Sequence, residues 1–138
     1  MTSRAVIENK ISSIRKYLSL LEYFKQFKAS ELEGRIELKG AVERYLYLVV
    51  QSTIDLAEAV ISFRSLRKPT TMAETFRILA EEQLLSTEVA ARLVRMVGFR
   101  NILAHDYETV NFTIVYEILH HRLGDIEDVL KALLPILN

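Results

Sequence analysis

Residues 45–61, YLYLVVQSTIDLAEAVI, decide the fold. Wound as a helix, this segment is apolar on most of its sides, and a helix that is hydrophobic nearly all round belongs in the middle of a bundle. The remaining segments must then be helices that cover it, each with one apolar stripe.

The flanking sequence supplies them. Residues 3–28 put Ile7, Ile11, Ile14, Leu18, Leu21 and Phe24 at spacings of three and four, with Lys25 and Lys28 in the last turn where the helix dipole favours cations. Ser30 opens SELE, read as a capping box with Glu33, from which a second helix runs to about Phe63, weakened early on by Gly34 and Gly40. RSLRKP (64–69) closes that helix. A Thr71–Glu74 box opens a short third helix to about Gln83, and Ser86 or Thr87 caps a fourth over 87–104, carrying Val89, Leu93, Val94, Val97 and Ile102. Asn111 caps a fifth, with Val110 and Val115 as its hydrophobic staple. Its stripe of Val115, Ile118, Leu119, Leu123, Ile126, Leu130 and Leu133 ends near Pro135. Four glycines and two prolines in 138 residues leave little room for strands and turns. The expectation is one all-α domain over 1–138, an up-and-down four-helix bundle with one short extra helix.

Composition narrows the function classes. Eighteen basic residues balance eighteen acidic ones, so no global field draws the chain to nucleic acid, and any such contact rests on a local patch. No cysteine is present, which removes disulfides, thiolate metal sites and a Cys nucleophile, and suits a reducing cytoplasm. The N-terminus, MTSRAVIENKISSIRKYL, is too regularly charged for a signal peptide. The most apolar run, YLYLVVQSTI (45–54), is roughly half the length of a membrane-spanning helix. A soluble cytoplasmic protein with no membrane partner follows.

One stretch does not fit an ordinary bundle: RNILAHDY, residues 100–107. Arg100 lies in the last turns of the fourth helix and His105 at or just past its end. Five residues at about 100° each set the two well apart on a regular helix, so ending the helix between them is what would turn both toward one spot. A guanidinium is a planar fork matched to phosphate oxygens, and an imidazole takes or gives a proton near neutral pH. Together they suffice for RNA cleavage by attack of the 2′-OH on the adjacent phosphate, with no metal, no cofactor and no covalent enzyme intermediate. That reaction uses both a base and an acid, yet the motif holds one histidine. A symmetric dimer would supply the second.

The block MVGFRNILAHDYETVN (96–111) resembles the signature of the HepT-like HEPN proteins, nuclease toxins encoded beside a minimal nucleotidyltransferase antitoxin. The HEPN motif is Arg, four to six residues, then His, often with a polar residue directly after the Arg. Arg100, Asn101 and His105 fit it, and Tyr107 fits the longer Arg-x4-His-x-Tyr pattern of the HepT branch. Glu43–Arg44 and VYEIL (115–119) extend the similarity over nearly the whole chain. The resemblance implies a metal-independent RNA endonuclease acting on transfer or messenger RNA, with a composite site at a homodimer interface. It implies catalytic roles for Arg100 and His105, a positioning role for Asn101, and silencing by adenylylation of Tyr107 by the antitoxin. An AMP there would bring negative charge and bulk, occupy Arg100 as a counterfeit phosphate, and repel the RNA backbone.

Blander readings stand beside these. Arg100 alone is a dipole-favoured helix-end cation, His105 a cap for exposed carbonyls, Asn101 a surface residue and Tyr107 an interface aromatic. Arg92 and Arg95 read as a solvated face, or as extra phosphate contacts. In LHHRL (119–123), Glu117 and His121 lie four apart but lack a third ligand, so no metal site is assigned. Gln51 and Asp55 need partners inside an apolar helix, across the bundle or at a dimer site. The rival to a nuclease is a non-catalytic helical partner of a nucleotidyltransferase, which would need neither Arg100 nor His105.

Overall fold

A computed structural model describes residues 3–105 and 111–137. Among these the chain is all helix: α1 (Arg4–Phe24), α2 (Ala29–Gly34), α3 (Ile36–Phe63), α4 (Met72–Glu81), α5 (Thr87–His105), α6 (Phe112–His121) and α7 (Leu123–Leu133), closed by a 3-10 turn over Leu134–Leu137. The apolar segment 45–61 is the centre of α3. Its buried residues, among them Leu46, Val49, Val50, Thr53, Ile54, Leu56, Ala57 and Val60, face every direction, and α1, α2, α4, α5 and α7 all pack on it. By length and composition α3 could cross a membrane, with an 18-residue stretch of mean hydropathy 1.4. However, 56% of that stretch is buried inside the fold, as befits a core helix. α1 contributes the expected stripe of Ile7, Ile11, Ile14, Leu21 and Phe24.

The predicted second and fifth helices are each two helices. The first break falls at Arg35, whose φ of −113° and ψ of 108° are extended, directly after Gly34. The N-terminal cap differs accordingly: Lys28 is the capping residue and its backbone N–H donates to the Glu31 carboxylate at 2.9 Å, so Ser30 and Glu33 form no box. The second break falls at Arg122, within the polar run His120–Arg122 and two residues before Gly124. Glycine costs a helix about 1 kcal/mol relative to alanine. The break also sets Asp125 in the first turn of α7, where the dipole favours an anion and where it reaches Arg92 at 3.8 Å.

The other caps sit where the sequence put them. Thr71 Oγ1 accepts from the Glu74 amide at 3.1 Å, although the Glu74 carboxylate accepts from Thr70 N–H rather than from Thr71. Ser86 Oγ accepts from Val89 N–H at 3.1 Å, and Asn111 Oδ1 from Thr113 N–H at 2.8 Å. Val115 is buried; Val110, its staple partner, lies outside the described residues. α3 and α4 both end in a left-handed residue, Ser65 (φ 54°) and Gln83 (φ 60°). Leu66 N–H bonds Ile61 C=O and Leu84 N–H bonds Leu79 C=O, each at 2.9 Å, which is the Schellman closure. These ends fix how α3 turns back into α4 and α4 into α5, and so fix α5 against α3.

Candidate active site

α5 carries Arg100 toward α3, where a polar stripe interrupts the apolar helix. Tyr47, Gln51 and Asp55 are four residues apart in succession and therefore share one face. Arg100 Nε donates to Gln51 Oε1 at 2.8 Å, and its Nη2 donates to the Tyr47 hydroxyl at 3.1 Å. Its Nη1 donates to Asn101 Oδ1 at 2.9 Å. Behind this, Gln51 Nε2 donates to Asp55 Oδ1 at 2.9 Å, and Lys10 of α1 stands 3.9 Å from Asp55 Oδ2. The Asp55 carboxylate accepts only, so it takes the amide end of Gln51 and turns the Gln51 oxygen toward Arg100. A flipped Gln51 would set N–H against N–H and oxygen against carboxylate.

The guanidinium is thus held at three of its five N–H groups by described residues, and two remain on its terminal nitrogens. Two cations approach the Tyr47 ring, Arg100 at 5.0 Å and Arg44 at 5.4 Å from its centroid. A cleft of ≈ 420 Å³ opens beside it, lined by Gly40, Glu43, Arg44, Tyr47, Leu103 and Ala104. Burial pushes the Glu43 carboxyl above its ordinary value, with Lys39 pulling the other way.

α5 continues through His105, its last helical residue, instead of ending before it. At about 100° per residue the two side chains leave the helix roughly 140° apart. Arg100 turns inward to α3, while His105 is exposed. Arg100 and Asn101 are joined by a hydrogen bond, and among the described residues none joins His105 to either. Tyr107 lies outside the described residues, as do Asp106 and Glu108. Arg92 is directed to α7, 3.8 Å from Asp125 and 3.9 Å from Asp128, and so stands apart from the Arg100 cluster. Arg95 is exposed.

Among the described residues no three His, Cys, Asp or Glu side chains converge to hold a metal ion. His120 packs on Tyr116, ring centroids 4.2 Å apart, and burial lowers its pKa. The site residue that sequence reasoning missed is Tyr47, read as part of the apolar run. The period-four spacing from Tyr47 to Asp55 was the available signal.

The ribonuclease HepT-like family profile matches residues 7–133. The chain is 30% identical over 130 residues to the mRNA nuclease HepT of Shewanella oneidensis, spanning 92% of this chain and 97% of that protein. It is 29% identical over 106 residues to the tRNA nuclease HepT of Aphanizomenon flos-aquae, spanning 77% and 72% respectively. Its fold superposes with a TM-score of 0.88 on the tri-AMPylated Shewanella oneidensis HEPN toxin solved in complex with its MNT antitoxin. That alignment has 26% identity and covers 96% of this chain and 99% of that one. The chain belongs to the HepT-like ribonuclease family.

Proposed function

We propose that the protein is the toxin of a toxin–antitoxin pair, an RNA endonuclease that works as a homodimer without a metal and is silenced by AMP on Tyr107. The observation that carries this is Arg100: a cation braced at three points by Gln51, Tyr47 and Asn101, with an exposed His105 on another face of the same helix end. A braced guanidinium presents its charge to a phosphorane without reorganising. His105 is exposed, roughly 140° around the helix from its own Arg100, which leaves it available to a second protomer.

In the composite site one His105 takes the proton of the 2′-OH as that oxygen attacks phosphorus. The P–O5′ bond breaks, and His105 of the other protomer gives its proton to the departing 5′-oxygen. The products are a 2′,3′-cyclic phosphate and a 5′-OH. Arg100 neutralises the non-bridging oxygens throughout, Asn101 holds Arg100, and Arg95 offers a contact to a flanking phosphate. Arg92, already facing two carboxylates, is the weaker candidate for such a contact.

The related nucleases named for messenger RNA and for transfer RNA support an RNA substrate, and the AMPylated relative supports a nucleotidyltransferase partner. An AMP on Tyr107, seven residues past Arg100, would compete for that guanidinium and repel RNA. An RNA substrate and a nucleotidyltransferase partner support a cytoplasmic location. The test is cleavage of transfer and messenger RNA in EDTA by protein shown by mass to lack AMP. Arg100→Ala and His105→Ala should each lower the rate about 10²–10⁴-fold with the fold retained. Undiminished cleavage by either variant would remove that residue from the mechanism.

A further inference from the structure

We infer that the cleft between α3 and α5 is a nucleobase subsite that selects guanine next to the scissile phosphate, with the Glu43 carboxylate as the reading group. The inference rests on the nuclease reading above. Tyr47 links the two places: its hydroxyl accepts from Arg100, and the same residue lines the cleft. A phosphate held at Arg100 therefore sets a neighbouring nucleotide at the mouth of the cleft.

The walls suit a base. Leu103 and Ala104 give an apolar side, and Gly40 leaves open space where a side chain would stand. Arg44 is exposed and lies over the Tyr47 ring, offering a planar cation on which a base can stack. Glu43 is the polar group inside. Its side chain is 15% exposed, and among the described residues its buried Oε1 has no hydrogen-bond partner. Lys39 Nζ, at 3.9 Å, is beyond hydrogen-bond reach. A buried carboxylate oxygen without a donor destabilises the free protein, and a ligand that brings donors relieves this.

The chemistry of the bases then chooses among them. An ionised carboxylate only accepts. Guanine presents two adjacent donors, N1–H and N2–H, on its Watson–Crick edge and can engage both carboxylate oxygens once the Glu43 side chain turns its buried Oε1 into the cleft. Adenine and cytosine set an acceptor beside their amino donor, and uracil flanks its one donor with two acceptors. In each of these, a base acceptor faces a carboxylate oxygen. A free phosphate is the wrong ligand, since Glu43 repels it.

The test uses the full-length protein free of AMP, in EDTA, on single-stranded RNA carrying a randomised dinucleotide in a fixed context, with products read by sequencing. The wild type should cut beside guanine at least roughly 10-fold more than beside any other base at one of the two positions, the scale of a bidentate base contact. Glu43→Gln places a donor and an acceptor in the cleft and should move the preference from guanine toward adenine and cytosine, each of which sets an acceptor beside its amino donor. A wild type indifferent to base at both positions, or a Glu43→Gln protein that keeps the guanine preference, would overturn the inference. If Glu43→Gln proves unstable, Arg44→Ala on its exposed side chain gives the second arm. There KM for guanine-containing RNA should rise several-fold, by more than kcat falls, and an unaltered KM would overturn the inference. Absence of any cleavage by the wild type would instead bring down the nuclease reading, and this inference with it.

Discussion

Arg100 is held through its neighbours, so its placement should be sensitive to a residue that does not touch it directly. Asp55 orients Gln51, and Gln51 orients Arg100. Asp55→Ala removes the acceptor that fixes the Gln51 amide and should lower kcat between about 10- and 100-fold, since sub-ångström placement of a catalytic group carries that much. Asp55→Asn keeps an oxygen for Gln51 Nε2 and should recover most of the rate. Steady-state kinetics on both variants decide this, and a rate unchanged in Asp55→Ala would show that Arg100 needs no such brace. On the far face of α5, burial holds the Asp125 carboxyl above the ordinary Asp value of 3.8, against the pull of Arg92 and Arg122. A raised pKa means that the folded chain binds the proton more tightly than the unfolded one. The resulting stability is fully present below 3.8 and is lost as pH rises through the folded value. Asp125→Asn cannot ionise, so its Tm relative to wild type should increase from about pH 3.5 to pH 7. A margin that shrinks over that range would show that the Arg92 pair outweighs desolvation.

At the scale of the element, the helix ends are where local chemistry and tertiary packing divide the work. Ser65 and Gln83 sit in the left-handed region that favours glycine. Ser65→Gly and Gln83→Gly should each stabilise the protein by about 0.5–1 kcal/mol in urea unfolding, the strain relieved there exceeding the entropy that glycine adds to the unfolded chain. A loss of stability would show that the side chains hold these turns by contacts of their own. The caps at Thr71, Ser86 and Asn111 were legible because a side-chain oxygen next to free amides is a local arrangement. The breaks at Arg35 and Arg122 were not, because either segment taken alone keeps a continuous helical stripe across the break. Across each break the chain changes the helix it packs on: α2 lies on α3, and α7 lies on α5 and α3. The site was legible in the same partial way. Arg100, Asn101 and His105 stand together in sequence, whereas Tyr47 is 53 residues from Arg100 and is indistinguishable in sequence from the core residues around it. Continuing α5 through His105 separates two side chains that a frayed helix end would have joined.

That separation sets the behaviour of the whole molecule. On the proposed mechanism a chain that turns Arg100 inward and leaves His105 exposed holds half of an acid–base pair, and the balance of eighteen cations and eighteen anions supplies no global field to draw RNA elsewhere. The bundle's task is rigidity: α3 is clamped by five other helices, so the Tyr47–Gln51–Asp55 stripe is a fixed edge against which α5 presents its end. In the proposed homodimer a two-fold arrangement would place two such edges together, with both histidines available to one RNA phosphate. The most direct measurement is the activity of a mixed dimer of one wild-type and one His105→Ala protomer. It would be purified through two different tags, freed of AMP, and assayed in EDTA above its dissociation constant. If acid and base come from different protomers, the mixed dimer should cut RNA about 10²-fold or more slowly than the wild-type dimer, close to the double variant. Half the wild-type rate would mean that each protomer carries a complete site, and would contradict the composite mechanism.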